Sequence, residues 1–132
     1  MGFLRLIHHI HFDHDTGKFK SLAFKNSGDG SGISLVEKEC AINASPTICG
    51  HIHRYYPNVV GEPAIFWHVP EGITSTCKLE QKTSSTGDIC HHNMKGLSDP
   101  DARRAIKDVP LNEMMVCENG TYRPLTLSDI PK

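Results

Sequence analysis

Two pairs of histidines, each pair separated by one residue, are the strongest candidates for chemistry in the sequence. His9 and His11 form the first pair, and His51 and His53 form the second. On a β-strand, residues i and i+2 point to the same side about 7 Å apart, so two imidazoles can bind one metal ion. Two such strands facing each other would supply four nitrogen ligands. The pattern therefore predicts a metal site.

Cysteines next to the histidines extend this predicted site. Cys49 would share a strand face with His51 and His53, and Cys90 directly precedes His91. Imidazole together with thiolate selects zinc or another divalent transition metal. The alternative is that such pairs arise by chance in a chain with nine histidines. The predicted metal ligands are His9, His11, Cys49, His51, His53, Cys90 and His91.

The histidines also allow phosphoester chemistry without a metal. Arg5, His9 and His11 would share one face of a strand over residues 3–12, where a guanidinium can hold a phosphate while imidazoles exchange protons with it. Arg5 would bind the phosphate, and His9, His11 and His92 would act as acid, base or metal ligand. The alternative is the ordinary polar, solvent-facing side of an antiparallel sheet.

The glycine-rich segment 28–34 resembles a phosphate-binding loop in composition alone. It lacks the Gly-Lys-Ser/Thr of a P-loop and opens no clear helix, so a plain connection is favoured. Ser21 and Ser34 are candidate nucleophiles only as any serine is, because neither lies in a Gly-x-Ser-x-Gly motif. Cys90 beside His91 does not define a thiol protease, since that pair requires placement in space.

The composition excludes several classes of protein. The 132 residues are 38% hydrophobic and 22% charged, which predicts one globular domain over 1–132 rather than a disordered or fibrous chain. The 14 Lys and Arg against 15 Asp and Glu show no general basic character of a nucleic-acid-binding protein. The nine histidines would nevertheless make the chain cationic near pH 6.

Signals for export and for membrane insertion are not found in the sequence. Residues 1–7 contain no basic region followed by a long apolar run, and no stretch approaches the roughly 18 apolar residues of a membrane span. The five cysteines form no Cys-x-x-Cys pair and are predicted to be reduced thiols, mostly buried or ligating. We therefore expect a cytoplasmic protein that does not contact a membrane.

The periodicity predicts an α+β fold: an antiparallel, partly curled sheet of five to seven short strands with one main helix at 99–109. The helix has Ser98 as its N-cap and an apolar stripe at helical spacing, and it ends at Pro110. Asn119-Gly120 predicts a hairpin turn within 115–122. The predicted strands cover residues 3–12, 18–25, 48–56, 64–69 and 76–82; residues 33–40 are either strand or short helix, and residues 84–93 are a polar loop.

The first part of the chain resembles a group of short, uncharacterised prokaryotic proteins. The matching features are an Arg-x-Ile-His strand at 5–8, a Ser-x-Ala-Phe strand at 21–24 and an Ile-Ser-Leu segment at 33–35. A late histidine near a run of small residues, here His91 or His92, is similar too. The resemblance implies a prokaryotic protein and transfers no activity.

Two further resemblances concern single motifs. Residues 50–53 are similar to the closing Gly-His-x-His of calcineurin-like metallophosphoesterases, but the other motifs of that family must precede it, and here 87–88 and 92–93 follow it. We therefore exclude that family. The first strands are also similar to the start of ADP-ribosyltransferase folds, whose catalytic glutamate would have to be Glu62 or Glu113.

The leading hypothesis is a small intracellular hydrolase or nuclease that acts on a phosphoester of nucleic acid or a nucleotide through a histidine-rich site. The alternatives are a non-catalytic, zinc-stabilised module that binds another protein and a metal-free interaction subunit. Elemental analysis separates these classes, because only some of them hold a metal.

Overall fold

The computed structural model describes residues 2–57 and 63–132. Its strands are β1 (Phe3–Ile7), β2 (Phe12–Asp13), β3 (Lys18–Phe19), β4 (Ile33–Glu37), β5 (Ile65–Val69), β6 (Lys78–Gln81), β7 (His91–Lys95), β8 (Met114–Glu118) and β9 (Thr121–Pro124). Seven of them form an open antiparallel sheet in the order β6-β7-β4-β1-β5-β8-β9, and β2 pairs with β3 in a separate small hairpin. The predicted α+β class is confirmed, and the antiparallel sheet, predicted to have five to seven strands, has seven.

The helices are α1 (Lys38–Ala44), α2 (Ile48–Tyr55), α3 (Glu71–Thr74) and α4 (Asp99–Lys107). The predicted main helix is confirmed as α4, and the Ser98 hydroxyl caps it by accepting a hydrogen bond from the Asp101 amide. The sequence did not indicate α2, and it left residues 33–40 open between strand and short helix. The described residues contain three helices of seven or more residues instead of the single main helix that was predicted.

The centre of the sheet is buried on both faces. Along β1, Phe3 and Ile7 point to one face and Leu4 points to the other, as the two-residue period of a strand requires. The first face packs against α4 and the β2–β3 hairpin, through Phe12 and Ile106 among others. The second face packs against α1 and α2. Ser34, His91 and the buried group of His51 and Asp88 lie on this second face, whereas Arg5 shares the first face with Phe3 and Ile7.

The predicted strand over 48–56 is wrong, because this segment forms α2. The Thr47 hydroxyl caps it by accepting from the Gly50 amide. Ile48, Ile52 and Tyr56 are four residues apart and are buried together against the sheet, which is helical spacing. The β-branched and aromatic residues between Pro46 and Pro57 favoured a strand in the sequence, but packing against the sheet outweighs such local preferences.

The first predicted hairpin is also shorter than expected. β1 ends at Ile7, and residues 9–11 form a single 3-10 turn in which the His8 Nδ1 atom accepts a hydrogen bond from the Ile10 amide at 3.1 Å. Within 18–25 only Lys18–Phe19 is a strand, and residues 21–23 form another 3-10 turn. His9 and His11 therefore do not lie on the same strand face as Arg5.

The remaining boundaries follow local signals more closely. Residues 33–40 divide into β4 and the start of α1, and the predicted polar loop over 84–93 ends in β7. The second hairpin is confirmed as β8 and β9, with Asn119 at φ 51° and Gly120 at φ 80°. A type I′ turn requires positive φ at both of these positions.

Two disulfides correct the expectation that the cysteines are reduced thiols. Cys40 in α1 bonds Cys90 just before β7, and Cys49 in α2 bonds Cys117 in β8. Both attach the α1–α2 layer to the sheet, so the pairing depends on a layer that the sequence did not reveal. Cys77 is a free thiol. None of the helices in the described ranges is long and apolar enough to cross a membrane.

Candidate functional site

A cleft of about 670 Å³ opens where β1 and β4 separate. These two strands pair at only two positions, Phe3↔Glu37 and Leu4↔Val36, whereas β1 pairs with β5 along its whole length. The side chains in the cleft that bear on chemistry are Arg5, His8, His11, Ser34, Lys82 and His91. The cleft therefore gathers cations, imidazoles and a hydroxyl around one space.

Arg5 is a cation in the cleft without an acidic partner. Its Nε atom donates to the Ala23 carbonyl and its Nη1 atom to the Ser34 carbonyl, both at 3.0 Å. The second bond links β1 to β4 beyond the point where their ladder ends. Among the described residues Arg5 forms no ion pair. Burial lowers the pKa of Arg5 to about 10, so the guanidinium is still charged at neutral pH and can attract an anion.

Ser34 and His91 form a hydrogen-bonded pair inside this cleft. Ser34 opposes Asn93 and His91 opposes Val36 in the β4–β7 ladder, so the two side chains are diagonal neighbours on one face. The Ser34 Oγ atom lies 2.5 Å from His91 Nε2, and His91 Nδ1 lies 2.7 Å from the Lys82 carbonyl oxygen. Ser34 is exposed to the cleft.

The Lys82 carbonyl determines the protonation pattern of this pair. A carbonyl oxygen only accepts, so the proton of a neutral His91 lies on Nδ1 and Nε2 is the acceptor. The Ser34 hydroxyl therefore donates to Nε2. A hydroxyl that donates to an imidazole, with the imidazole oriented by a third group, is the arrangement of an activated serine nucleophile.

Of the first predicted pair, His11 lines the cleft and His9 lies beside a second lining histidine, His8. The ring centroid of His9 lies 4.6 Å from that of His8. The pKa of His11 is lowered by burial and then by the charges of His8, Arg5 and Lys20. The pKa of His9 is lowered by burial and then by His8. Arg5 and His11 both line the cleft, and a turn rather than the predicted strand places His11 there.

A loop carboxylate adds one negative charge to the rim of the cleft. Asp29 accepts hydrogen bonds from the Ser27 hydroxyl at 2.5 Å and from the Ser31 hydroxyl at 2.6 Å. The Ser27 bond and then those from Ser31 hold the pKa of Asp29 well below its usual range. The carboxylate is therefore occupied in ordering the 27–31 loop.

A second polar group lies fully buried beneath the cleft. His51 Nε2 is 2.8 Å from the Asp88 Oδ1 atom, and His51 Nδ1 is 3.0 Å from the Ser45 hydroxyl. Tyr56 donates to the other Asp88 oxygen, and the Cys90 amide donates to Oδ1 at 2.9 Å. Burial and then Asp88 raise the pKa of Tyr56 well above its usual range.

This buried group contains three atoms that could ligate a metal ion. One ligand atom each from His51, Asp88 and Cys90 lie within 4.8 Å of one another, and no other such group occurs in 2–57 and 63–132. Cys90 is engaged with Cys40 in the disulfide. The predicted ligands His51 and Cys90 are therefore brought together, with Asp88 as a third member that the sequence did not suggest.

The other predicted metal ligands lie elsewhere. His53 is exposed, because residues two apart on a helix point about 200° from each other, whereas His51 faces the core. Cys49 forms a disulfide with Cys117, and His91 is hydrogen-bonded to Ser34. Residues 48–55 form α2 rather than a strand. The prediction that His51 and His53 lie on one strand face and bind a metal ion together is therefore wrong.

His92, predicted to act beside Arg5, lies on the opposite face of the sheet from His91. Its ring centroid is 5.1 Å from that of Phe3, and its Nδ1 atom is 3.0 Å from the Cys90 carbonyl. Its Nε2 atom is 3.7 Å from the Glu37 carboxylate. Successive strand residues alternate between faces, so only one of these two histidines can reach the cleft.

Comparison with known proteins finds no protein family, curated protein or solved structure that matches this chain. The resemblance to short prokaryotic proteins therefore stays a prediction. Of the two glutamates considered for an ADP-ribosyltransferase, Glu62 lies outside the described residues, and Glu113 is exposed at the end of a 3-10 turn.

Proposed function

We propose that the protein is a small hydrolase of phosphoesters, with Ser34 as nucleophile and His91 as general base. The observation that carries this proposal is the 2.5 Å bond from Ser34 Oγ to His91 Nε2, within a cleft that is also lined by Arg5, a cation with no ion pair among the described residues. The predicted roles of Arg5 and His11 are kept, and Ser34 and His91 replace His9 and His92 at the reacting centre.

The reaction proceeds in two displacements. The Ser34 oxygen attacks phosphorus while its proton passes to His91 Nε2, and the bond from phosphorus to the leaving oxygen breaks. His91 returns that proton to the leaving alkoxide. A water molecule then attacks the phosphoseryl group, again losing a proton to His91. The phosphorus–Ser34 bond breaks, and Ser34 regains a proton from His91.

Charge favours a phosphoester over a neutral ester as substrate. The Arg5 guanidinium is held in place by its hydrogen bonds to two backbone carbonyls. Its Nη2 atom forms no hydrogen bond within the described residues. Lys82 adds a second cation at the cleft. Guanidinium is the side chain best matched to phosphate oxygens, and its charge counts for more where water is partly excluded. Because its pKa is lowered, His11 is largely neutral at pH 7 and suited to orient the attacking water.

The dimensions of the cleft favour a nucleotide or a short single strand. A volume of about 670 Å³ falls in the range of sites that hold one small organic ligand. The whole chain has a net charge of −1, so it lacks the general positive charge that favours binding of a long duplex. Within the predicted class of nucleic acid or nucleotide substrates, we propose the smaller ones.

The test is hydrolysis of nucleoside phosphates, a dinucleotide and short single-stranded RNA and DNA by purified protein. Ser34→Ala should abolish turnover, while Ser75→Ala, at an exposed serine just after α3, should retain the parent rate. Equal rates in the parent and Ser34→Ala, or no turnover of any of these substrates, would overturn the proposal.

The second candidate function is a zinc-stabilised module, favoured by the group of His51, Asp88 and Cys90. Imidazole, carboxylate and thiolate together match zinc, and three protein ligands are enough to hold it. Metal content separates this candidate from a metal-free interaction subunit.

The cytoplasmic location also stays a proposal, because disulfides are typical of oxidising compartments.

A further inference from the structure

We propose that thiol reduction of the Cys40–Cys90 disulfide creates a zinc site at His51, Asp88 and Cys90, so that the disulfide and the bound metal are alternative states. The inference rests on the second candidate above and does not require the hydrolase. Its basis is that one sulfur atom belongs to both the disulfide and the candidate metal site. Cys90 Sγ is bonded to Cys40, and it is also one of three ligand atoms that lie within 4.8 Å of one another.

The two sulfur atoms differ in access, which decides how the disulfide opens. Cys40 is partly exposed on α1, whereas Cys90 is fully buried. An incoming small-molecule thiolate can therefore reach the Cys40 sulfur. Attack there forms a mixed disulfide with Cys40 and expels Cys90 as a thiolate. A second thiol then attacks the mixed disulfide, which gives the oxidised small-molecule disulfide and leaves Cys40 as a thiol.

The expelled thiolate emerges beside ligands that are already held in place. Asp88 is positioned by the Cys90 amide and by the hydroxyl of Tyr56, and His51 is held through Ser45. No other segment has to move to complete the three-residue group. Zinc supplies the positive charge that a buried thiolate and carboxylate require.

The tautomer of His51 can change without leaving a buried polar atom unpaired. In the oxidised protein Nε2 carries the proton, because Asp88 only accepts, and Ser45 donates to Nδ1. When a metal takes Nε2, the proton lies on Nδ1, and the Ser45 hydroxyl accepts from it at the same 3.0 Å separation. A hydrogen-bond partner on the other ring nitrogen is the usual support of a zinc-bound histidine.

The metal would replace the connection that reduction removes. The disulfide joins α1 to the residue before β7, while a metal on His51 and Cys90 would join α2 to that same residue. The helical layer is thus attached to the sheet in both states. In the reducing cytoplasm the zinc state would be the populated one, and in an oxidising compartment the disulfide state.

The test is binding of cobalt and zinc by the full chain in both redox states. Reduced protein should bind one equivalent of Co²⁺ with a thiolate-to-cobalt absorption band, and zinc should displace it. Oxidised protein should bind at least about tenfold more weakly and lack the band. Cys40→Ser should show the band without any reductant, and Cys40→Ser combined with Cys90→Ser should not. The matched control, Cys49→Ser with Cys117→Ser, removes the other disulfide and should behave like the parent in each state.

The possible results separate the site from its redox control. Folded Cys40→Ser protein without the band would overturn the site itself, whereas equal binding by oxidised and reduced parent protein would overturn the alternation. If Cys40→Ser fails to fold, alkylation of reduced parent protein replaces it: zinc should protect Cys90 and leave Cys40 reactive. Equal protection of both cysteines, or of neither, would contradict the proposal.

Discussion

Ser34 Oγ lies 2.5 Å from the Nε2 atom of His91, whose other ring nitrogen lies 2.7 Å from a backbone carbonyl. This relationship spans 57 residues of sequence and depends on the register between β4 and β7. The carbonyl requires the proton of the neutral imidazole to lie on the far side from the serine. The nitrogen that faces the hydroxyl is consequently free to take its proton, which is what a general base must do.

Removing the base should slow the reaction more than it weakens binding. His91→Asn removes the proton acceptor, so kcat should fall by about 100- to 10,000-fold while KM changes little. Steady-state kinetics on the best nucleotide substrate measures both. His53→Asn, at an exposed position of α2, is the control and should keep parent kinetics. A loss confined to KM would assign His91 to substrate binding instead.

Replacing the guanidinium should weaken phosphate binding even when the charge is kept. Arg5→Lys removes the two-pronged contact and the bonds to the Ala23 and Ser34 carbonyls, so the Kd of inorganic phosphate should rise by about tenfold or more. Titration calorimetry measures it, with Arg104→Lys at an exposed position of α4 as the control. An unchanged Kd in Arg5→Lys would show that Arg5 has only a structural role.

Acid should destabilise the protein below about pH 6.5. The pKa values of His9, His11 and half-buried His68 are lowered, first by burial in each case, from the ordinary 6.5. At a pH between the pKa of the unfolded chain, 6.5, and the lower pKa of the folded protein, the unfolded chain binds more protons than the folded one. The free energy of unfolding is therefore retained above pH 6.5 and declines as pH falls. Denaturant unfolding at pH 7.5 and 5 measures the decline.

The contribution of a single histidine to this acid sensitivity can be isolated. His11→Asn should make the decline shallower, because one group with a lowered pKa is gone, whereas His53→Asn at an exposed site should not. A parent protein equally stable at both pH values would contradict the assignment of lowered pKa values to these histidines.

Gly32 is required for the position of β4 and thus of Ser34. Its φ is 91°, and a Cβ atom at this position would overlap the backbone carbonyl oxygen of Met94 in the neighbouring strand. Gly32→Ala should therefore lower the free energy of unfolding by about 1–3 kcal/mol or more. Gly28→Ala is the matched control, since a Cβ there meets nothing within 4 Å. Equal stability of the two variants would contradict this role.

The elements that the sequence predicted well are those with local signals. Ser98 and the apolar stripe of α4 lie within one helix, and the turn at Asn119-Gly120 needs only two residues with positive φ. Each signal is complete within about ten residues. Tertiary packing has no reason to override such a signal, and α4 and the second hairpin form where they were expected.

The candidate site could not be predicted in the same way. The alternation along β4 is enough to place Ser34 on the face opposite Ile33 and Leu35, but nothing local indicates that His91 will lie beside it. The second histidine pair misled because Ile48 and Ile52, the residues that reveal a helix, are also strong strand formers. The register between β4 and β7 decided the first outcome, and packing of α2 against the sheet decided the second.

The disulfides show the same limitation. Cys40 meets Cys90 only because α1 packs on the face of the sheet where β7 begins, and the sequence alone did not decide between strand and helix at Cys40. Pairings between cysteines cannot be deduced from their spacing. The buried group of His51 and Asp88 likewise joins a helix to a loop 37 residues away.

The central claim is that Ser34 becomes covalently phosphorylated during turnover, and rapid acid quenching followed by mass spectrometry tests it directly. We expect the protein quenched with a phosphoester substrate to gain the mass of one phosphoryl group, located at Ser34 by fragmentation. The added group should be absent from Ser34→Ala. It should accumulate in His91→Asn, because Ser34 is still slowly phosphorylated in that variant while no base activates the water that removes the group. A parent enzyme that turns over substrate without any phosphoryl group on Ser34 would contradict the account.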